Sequence, residues 1–412
     1  MTNVLMVGFG EAFLHAVTDM IPPRSIIVLE EPDVIRKREL SGKLADLPCV
    51  AELVPAVHQQ TTEFLDMAAD IAGRWPVQAV LPALEYSVPA AAALAAKLGL
   101  PGAGETAAAV LRDKLRLREA AARGGIRNPA WREVHGPQDI VDFAGDRRVV
   151  VKPANRQASV GVHLLDRAGP AEAEAAWLSM TADAEPLVLP DRPLSWRYLV
   201  EERLIGPEYS VEALVRDGRI VFENVTAKSV IAGVHPVEIG HVAPAPLPAS
   251  TRAAFGEAMR ALVAATEFGT GILHAEWILT DDGPALIECA GRSPGDRIVD
   301  LIDLSYGTRL RLALIELLAG SPPPLPAGPS GGAAIRFLSA APGVVERIDG
   351  EEQARELPGV RELRVGVAAG AVARVWRSSL DRHGYVIATG DDGAQADSRA
   401  QAAAGTIRIV TR

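Results

Sequence analysis

The chain has few of the features that mark secreted or membrane-spanning proteins. Its 412 residues include only two cysteines, Cys49 and Cys289, so one disulfide at most can form and reduced thiols are expected. The N-terminus lacks the basic start and long apolar core of a signal peptide. The most apolar stretch, Val88–Leu100, contains Lys97 and is too short to cross a bilayer. We therefore expect a cytoplasmic protein without a membrane segment.

Basic residues are also in the minority. There are 42 lysines and arginines against 52 aspartates and glutamates, which gives a net charge of −10. Non-specific binding to nucleic acid requires a basic surface, so no nucleic-acid partner is expected. Hydrophobic residues make up 48% and charged residues 23%, the composition of a globular protein. The length predicts two to four domains.

Short apolar runs alternate with helical stretches over the first 110 residues. This pattern predicts a parallel sheet with helices on both faces. Predicted strands are Val4–Val7, Ser25–Leu29 and Ala79–Leu81, and predicted helices are Gln60–Ala72 and Val88–Leu98. Gly8 and Gly10 form only part of a dinucleotide-binding fingerprint, so a tight turn between strand and helix is the preferred interpretation, and a Rossmann dehydrogenase is the weakest alternative.

The pattern changes after residue 110 to charged helices and β-hairpins. A helix is predicted at Leu111–Arg123 and a strand at Arg147–Pro153, and Ser321–Gly332 has the composition of a linker. The predicted fold class is therefore α/β and α+β multidomain. We expect an α/β domain at 1–110, a second domain at 111–320 with a lid at about 125–195, and a C-terminal α+β domain at 333–412.

The most informative segment is a predicted hairpin that carries two glutamates. Glu276 and Glu288 lie in adjacent strands, where suitable pairing would bring their carboxylates together. Like charges at one site are costly unless a cation neutralises them, and carboxylate oxygens suit Mg²⁺. Arg292 follows closely and could bind a phosphoryl group or an oxyanion. The alternative is an ordinary hairpin with solvated acids.

Two further segments have features of a nucleotide site. Lys152 closes an apolar strand, and the loop after it, which contains Ser159, is rich in small residues that could fold over phosphates. Lys114 is a second candidate phosphate contact. Residues 201–204 could contact an adenine, and Glu208 could accept hydrogen bonds from ribose hydroxyls. Each of these residues, taken alone, could instead be a solvated surface group.

The order of these motifs resembles the ATP-grasp superfamily from about Asp113 to Arg292. The resemblance implies an ATP-grasp fold with an N-terminal Rossmann-like (pre-ATP-grasp) domain and ATP bound between two α+β subdomains. It implies the following roles: Lys114, Lys152 and Ser159 at the phosphates, Glu201, Glu202 and Leu204 at the adenine, Glu208 at the ribose, Glu276 and Glu288 on Mg²⁺ or Mn²⁺, and catalytic Arg292 at the acyl phosphate.

Two departures narrow the resemblance to one branch. Many members have an asparagine where this chain has Ala290, and the phosphate loop contains only Gly161. The run from Glu288 to residue 296 is instead similar to the L-amino acid ligases, which form dipeptides. In those ligases a segment similar to Val234–Pro248 lines the substrate site, which implies that catalytic His241 stabilises the acyl phosphate and that Glu238 meets a substrate amino group. The alternative is a loop whose polar groups cap local backbone. Asp296 is expected to face the substrate and favour a cationic group, or to cap a helix.

The expected activity is an ADP-forming ligase that joins a carboxylic acid to an amine, with amino acids as the expected small-molecule substrates. One alternative is a carboxylase that acts through carboxyphosphate. Another is a nucleotide-binding regulatory protein without turnover. A homodimer is one expected state, because dimers are common among relatives.

Overall fold

The computed structural model describes residues 3–182, 185–231, 237–321, 324–376 and 379–412. Part of the segment expected to line the substrate site, from Val234 to Pro236, lies outside the described residues, as does part of the expected linker. Within the described ranges, no helix combines the length and apolar character that a bilayer crossing needs.

The N-terminal region forms a four-stranded parallel sheet in the order β3-β2-β1-β4. Its apolar runs are buried because helices cover both faces, as the continuous hydrophobic pattern predicts. Its elements are β1 (Asn3–Val7), α1 (Glu11–Val17), β2 (Ile26–Glu30), α2 (Pro32–Lys37), α3 (Leu40–Lys43), β3 (Val50–Pro55), α4 (Ala68–Arg74), β4 (Val77–Pro82) and α5 (Val88–Leu98).

Two short helices follow, α6 (Glu105–Leu111), which was not predicted, and α7 (Lys114–Arg123), which corresponds to the helix predicted at Leu111–Arg123. The backbone is extended at Asp113, the residue before α7. The Asp113 side chain caps this helix by accepting a hydrogen bond from the Leu115 amide at 2.9 Å. This cap fixes the direction in which Lys114 leaves the helix. The predicted helix at Gln60–Ala72 is also shorter than expected, since only its C-terminal part is α-helical, in α4.

A small antiparallel sheet, in the order β5-β8-β6-β7, occupies the region predicted as the lid. Helices α8 and α9 pack on it around buried Val149, Val151 and Met180. Its elements are β5 (Trp131–Val134), α8 (Pro137–Ala144), β6 (Val149–Pro153), β7 (His163–Leu165), α9 (Pro170–Ala182) and β8 (Tyr198–Glu202).

The segment 185–197 joins the lid to the N-terminal sheet. Lys37 donates to the Asp191 carboxylate at 2.9 Å, and Arg192 pairs with the buried Glu31 at 2.9 Å. These contacts connect the segment before β8 to the N-terminal region.

The largest sheet contains strands from before and after the expected linker, in the order β13-β12-β9-β10-β11-β14-β18-β16. Its first part comprises β9 (Glu208–Arg216), β10 (Arg219–Val230), β11 (Glu238–Ala243), α10 (Ala249–Thr266), β12 (Gly271–Thr280), β13 (Gly283–Ala290), α11 (Ile298–Tyr306) and α12 (Leu310–Leu318). Helix α10 packs on this sheet, with Phe255 against Trp277 at a ring-centroid distance of 6.5 Å. The apolar face of this sheet packs against α10, so polar residues on its opposite face line the space under the small antiparallel sheet.

The C-terminal region extends that sheet and adds a three-stranded sheet in the order β17-β15-β19. Its elements are β14 (Gly332–Phe337), β15 (Gly343–Asp349), α13 (Glu351–Glu356), β16 (Val360–Val365), β17 (Val372–Ala373), β18 (Gly384–Gly390), α14 (Gly393–Thr406) and β19 (Arg408–Thr411). Because β14 pairs with β11, this region adjoins the strand that carries Glu238 and His241.

Candidate active site

A cleft of about 340 Å³ lies between the lid and the largest sheet. Ten of the thirteen residues selected from the sequence line it: Lys114, Lys152, Ser159, Glu201, Glu202, Leu204, Glu208, Glu238, Glu276 and Glu288. Arg292, His241 and Asp296 do not line the cleft. Their individual roles stay predictions, but the fold brings residues from four separate motifs to one cavity.

Glu276 and Glu288 are directly paired across the β12–β13 hairpin. The Glu276 Oε1 atom accepts from Lys228 Nζ at 3.0 Å and lies 3.2 Å from His274 Nε2. Burial by itself would raise the pKa of Glu276, but Lys228 and His274 outweigh it and hold that pKa well below the usual range. Glu276 is therefore a fixed anion at the cleft wall.

Glu288 is paired with Lys114, whose Nζ lies 3.1 Å from Glu288 Oε1. Both carboxylates thus engage protein cations through Oε1, which leaves the Oε2 atoms for another ligand. Among the described residues, no three histidine, cysteine or acidic side chains are grouped as a metal site. A Mg²⁺ ion here would depend on two carboxylates plus phosphate and water oxygens, a donor set that suits this ion.

Behind Glu276 lies a buried polar network. His274 Nδ1 lies 3.0 Å from Glu212 Oε1, and Glu212 also accepts from Thr226 at 2.6 Å and from Asn224 at 3.1 Å. Burial lowers the pKa of His274, but the hydrogen bonds to Glu212 and Glu276 prevail and raise it to about 9. His274 is thus a cation that fixes the orientation of Glu276.

A buried charge cluster anchors the lid side of the cleft. Glu201 accepts from Arg118 Nε at 2.7 Å and from Lys152 Nζ at 2.7 Å, and Arg118 is fully buried. Burial opposes the ionisation of Glu201, but the two cations outweigh it and lower its pKa to about 2. Burial, together with the neighbouring cations Arg118 and Lys114, lowers the pKa of Lys152 although Glu201 opposes this shift. The surplus positive charge suits a phosphate.

The carboxylate of Glu201 is therefore committed to Lys152 and Arg118. The sequence pattern predicts that Glu201 contacts adenine, and any such contact would have to come from its backbone. The side chain of Glu202 alternates to the other face of β8 and is exposed.

The loop between β6 and β7 crosses the phosphate end of the cleft. Ala158 and Ser159 have φ values of 55° and 57°, so two residues other than glycine adopt the left-handed conformation there. Sequence reasoning expects such turns at glycine, and the loop has only Gly161. The loop turns without further glycines, with Ser159 at the cleft.

Lys228 is a functional candidate that sequence reasoning missed. Its side chain is only 3% exposed and lies among Glu208, Glu238 and Glu276, which raise its pKa despite burial. The available signal is weak: Asn224, Thr226 and Lys228 alternate along β10 and so point to one polar face. Lys228 contacts both an expected metal ligand, Glu276 at 3.0 Å, and an expected substrate contact, Glu238 at 3.4 Å.

Arg292 lies just beyond the cleft and is held by the N-terminal region. Its Nε donates to Glu85 Oε2 at 2.9 Å, and its Nη1 donates to the Ser293 carbonyl at 2.9 Å. Glu85 is buried and follows β4, and Arg112 lies 3.8 Å from its other oxygen. The N-terminal sheet therefore orients this arginine, which is not apparent from the motif containing it.

His241, Asp296 and Glu238 form a second cluster with an arginine from the C-terminal region. His241 Nε2 lies 3.2 Å from Asp296 Oδ2, and Arg382 donates to both oxygens of Asp296 at 2.7 and 2.9 Å. Arg382 also donates to Glu238 at 3.0 Å. No sequence motif identifies Arg382, although Glu238 joins this cluster to the cleft.

Comparison with known protein families identifies two domains of the chain. Residues 146–300 match the ATP-grasp domain family, the region that contains the phosphate loop, Lys228 and both hairpin carboxylates. Residues 336–412 match L-amino acid ligase C-terminal domain 2. The chain therefore carries an ATP-grasp domain followed by a domain of the L-amino acid ligases, and both the resemblance and the fold class predicted from the sequence are confirmed.

Individual relatives agree with this assignment. The chain is 31% identical to carnosine synthase 1 of Gallus gallus over 176 residues, which is 42% of this chain and 19% of that protein. It is 24% identical to alanine–anticapsin ligase of Bacillus subtilis over 65% of this chain and 59% of that protein. The chain thus spans about a fifth and about three fifths of these two relatives.

A solved structure extends the fold comparison to the whole chain. The L-amino acid ligase from Bacillus licheniformis superposes with a TM-score of 0.78 at 20% identity, over 100% of this chain and 99% of that one. The ligase fold is therefore shared from end to end, while the low identity leaves the substrates open.

Proposed function

We propose that this protein is an ATP-dependent carboxylate–amine ligase that joins amino acids or similar molecules and forms ADP and phosphate. The observation that carries the proposal is the pairing of Glu276 with Glu288 opposite Lys114 and Lys152 in one cleft. This array can neutralise a triphosphate and a divalent ion, Mg²⁺ or Mn²⁺. The names of the relatives, which include an L-amino acid ligase and alanine–anticapsin ligase, support amino acids as substrates.

The proposed reaction has two steps in the closed cleft. A substrate carboxylate oxygen attacks the γ-phosphorus, the bond to ADP breaks, and an acyl phosphate forms. The amine nitrogen then attacks the acyl carbon, phosphate leaves with the electron pair of the broken carbon–oxygen bond, and a proton is released from the nitrogen. Catalysis depends on positioning and on neutralising charge, for which the cleft provides paired carboxylates and buried lysines.

Five charged residues in or near the cleft have a defined part in this proposal. Lys114 and Lys152 bind phosphate oxygens, while the Oε2 atoms of Glu276 and Glu288 would hold Mg²⁺, which supplies positive charge at the transferring phosphoryl group. Arg292, oriented by Glu85, stabilises negative charge on the acyl phosphate. The lid excludes water, because water would hydrolyse the acyl phosphate.

The test is phosphate release from MgATP in the presence of pairs of amino acids, with the product identified by mass. We expect release that requires two amino acids and a product whose mass is their sum minus water. Release that depends on bicarbonate instead would support the carboxylase alternative. Absence of ADP formation across broad amino-acid pools, despite ATP binding, would contradict the proposal and favour a regulatory protein. The proposal includes a cytoplasmic location, and a homodimer is a further expectation.

Arg292→Ala is expected to lower kcat about 10²-fold with little change in KM for ATP, because removing one preorganised donor to a developing oxyanion typically costs about 3 kcal/mol. Steady-state phosphate release measures both constants. Arg219→Ala, which removes an exposed arginine at the start of β10, is the control and should behave as the unmodified protein. An unchanged kcat in Arg292→Ala would remove this residue from the proposed mechanism.

A further inference from the structure

The cluster of Glu238, Asp296 and Arg382 has a charge balance that bears on substrate choice. Its members come from β11, from the turn before α11 and from the segment before β18, so only the folded chain brings them together. Arg382 forms a two-point contact with Asp296 and a third hydrogen bond to Glu238. Such planar, two-point pairing is the strongest form of ion pair that side chains make.

Arg382 is itself immobilised. Its side chain is 7% exposed, and its guanidinium lies 3.8 Å from the ring centroid of Phe337 on β14. Stacking and burial restrict the guanidinium to the orientation that meets the two carboxylates. It is therefore a fixed positive charge contributed by the C-terminal region.

Both carboxylates of the cluster face the same guanidinium. Asp296 faces Arg382 and His241, and these groups outweigh burial and hold its pKa below the usual range. Glu238 faces Arg382 at 3.0 Å and Lys228 at 3.4 Å, and Lys228 is shared with Glu208 and Glu276. Arg382 is therefore the cation that the two carboxylates have in common, and neither of them is left unpaired for a ligand.

We propose that Arg382 is a specificity-determining residue, which pairs with both Asp296 and Glu238 so that the substrate site selects amino acids with uncharged side chains over cationic ones. This inference rests on the proposed function. It reverses the expectation from the sequence, in which Asp296 favours a cationic group. A substrate ammonium would have to lose its hydration shell without gaining an unpaired carboxylate, and that exchange is unfavourable.

The test compares two amino acids of nearly equal side-chain size, norleucine and ornithine, in the full-length protein. The unmodified protein should use norleucine with the higher kcat/KM. In Arg382→Met, which keeps the length and apolar contact of the side chain, the ratio of ornithine to norleucine should rise at least about tenfold, since two partly buried carboxylates lose the cation that they share. Arg382→Lys, which keeps the charge, should raise the ratio less than Arg382→Met does.

Asp296→Asn provides a second, opposite test. It leaves Arg382 in surplus, so the ratio of ornithine to norleucine should fall below that of the unmodified protein. A purely structural role would not shift the ratio in opposite directions for opposite changes of charge. If Arg382→Met does not fold, as judged by thermal melting, the direction of the change in Asp296→Asn decides the question.

The inference is overturned by a folded Arg382→Met with an unchanged ratio, by an Asp296→Asn ratio that is unchanged or higher, or by an unmodified protein that prefers ornithine. Binding of both amino acids, measured by calorimetry in the presence of MgADP, gives a ratio of dissociation constants that should shift in the same directions without turnover. If no amino-acid pair releases phosphate, the proposed function fails, whereas the binding ratios still test the role of Arg382.

Discussion

Glu288→Ala is expected to lower kcat about 10³-fold, the largest effect on activity that we predict. The change removes one of two carboxylates on the hairpin and releases Lys114, which lies 3.1 Å from Glu288. Loss of a metal ligand together with the orientation of a phosphate-binding lysine should cost about 4 kcal/mol of transition-state stabilisation, and each 1.4 kcal/mol is a factor of ten in rate. Phosphate release with saturating ATP and amino acids is the measurement.

Asp282→Asn is a matched control for this experiment. Asp282 lies in the turn of the same hairpin, and its side chain is 74% exposed, so its loss should leave kcat unchanged. Isothermal titration of Mn²⁺ in the presence of ADP adds a measurement that does not depend on turnover, and Glu288→Ala should weaken this binding. Full activity in Glu288→Ala would refute the assignment of the metal site.

Glu201→Ala is expected to lower the free energy of unfolding by about 3–5 kcal/mol, the largest effect on stability that we predict. Glu201 is 2% exposed and is the shared anion of Arg118 and Lys152, both of which are also buried. Removing it leaves two like charges in the interior without a counter-ion, and each then loses most of its solvation without compensation. Urea unfolding followed by circular dichroism measures the loss.

The neighbouring Glu202→Ala is the control, because Glu202 is exposed on the opposite face of the same strand. Its effect on the free energy of unfolding should stay within about 0.5 kcal/mol. Equal losses in the two variants would contradict the buried cluster. Addition of MgATP should recover part of the stability lost in Glu201→Ala, since bound phosphates neutralise Lys152 and a ligand of the folded state raises its stability.

The elements that the sequence predicted well are those with strong local patterns. The parallel strands of the N-terminal region appear as continuous apolar runs, and the β12–β13 hairpin as two apolar strands around a polar turn. Strand β3 (Val50–Pro55) was not predicted. Most of its side chains are only half-buried, so the apolar pattern in its sequence is weak. The helix expected at Leu111–Arg123 is present as α7, which begins three residues later because Asp113 caps it, whereas α6 was not predicted.

The residues of the candidate site likewise fall into those that local sequence patterns identify and those that they do not. The glutamates of the hairpin and the phosphate-loop lysine stand out as charged residues in or beside apolar strands, which is unusual enough to indicate function. Lys228 has that property too, but nothing near it in the sequence names its partners. The expectation that Asp296 favours a cationic substrate group stays a prediction from its short loop alone, and only the structure shows that this carboxylate is paired with Arg382.

The sequence by itself determined the class of the protein, because strand periodicity, turn residues and the order of charged motifs are local properties of the chain. Only the tertiary structure decided the state of each charge. Arg292 and Glu85 are 207 positions apart, and Arg382 and Asp296 are 86 apart. Electrostatic energy depends on distance and burial, neither of which spacing along the chain determines, so ion pairs of this kind appear only when the sheets have been assembled.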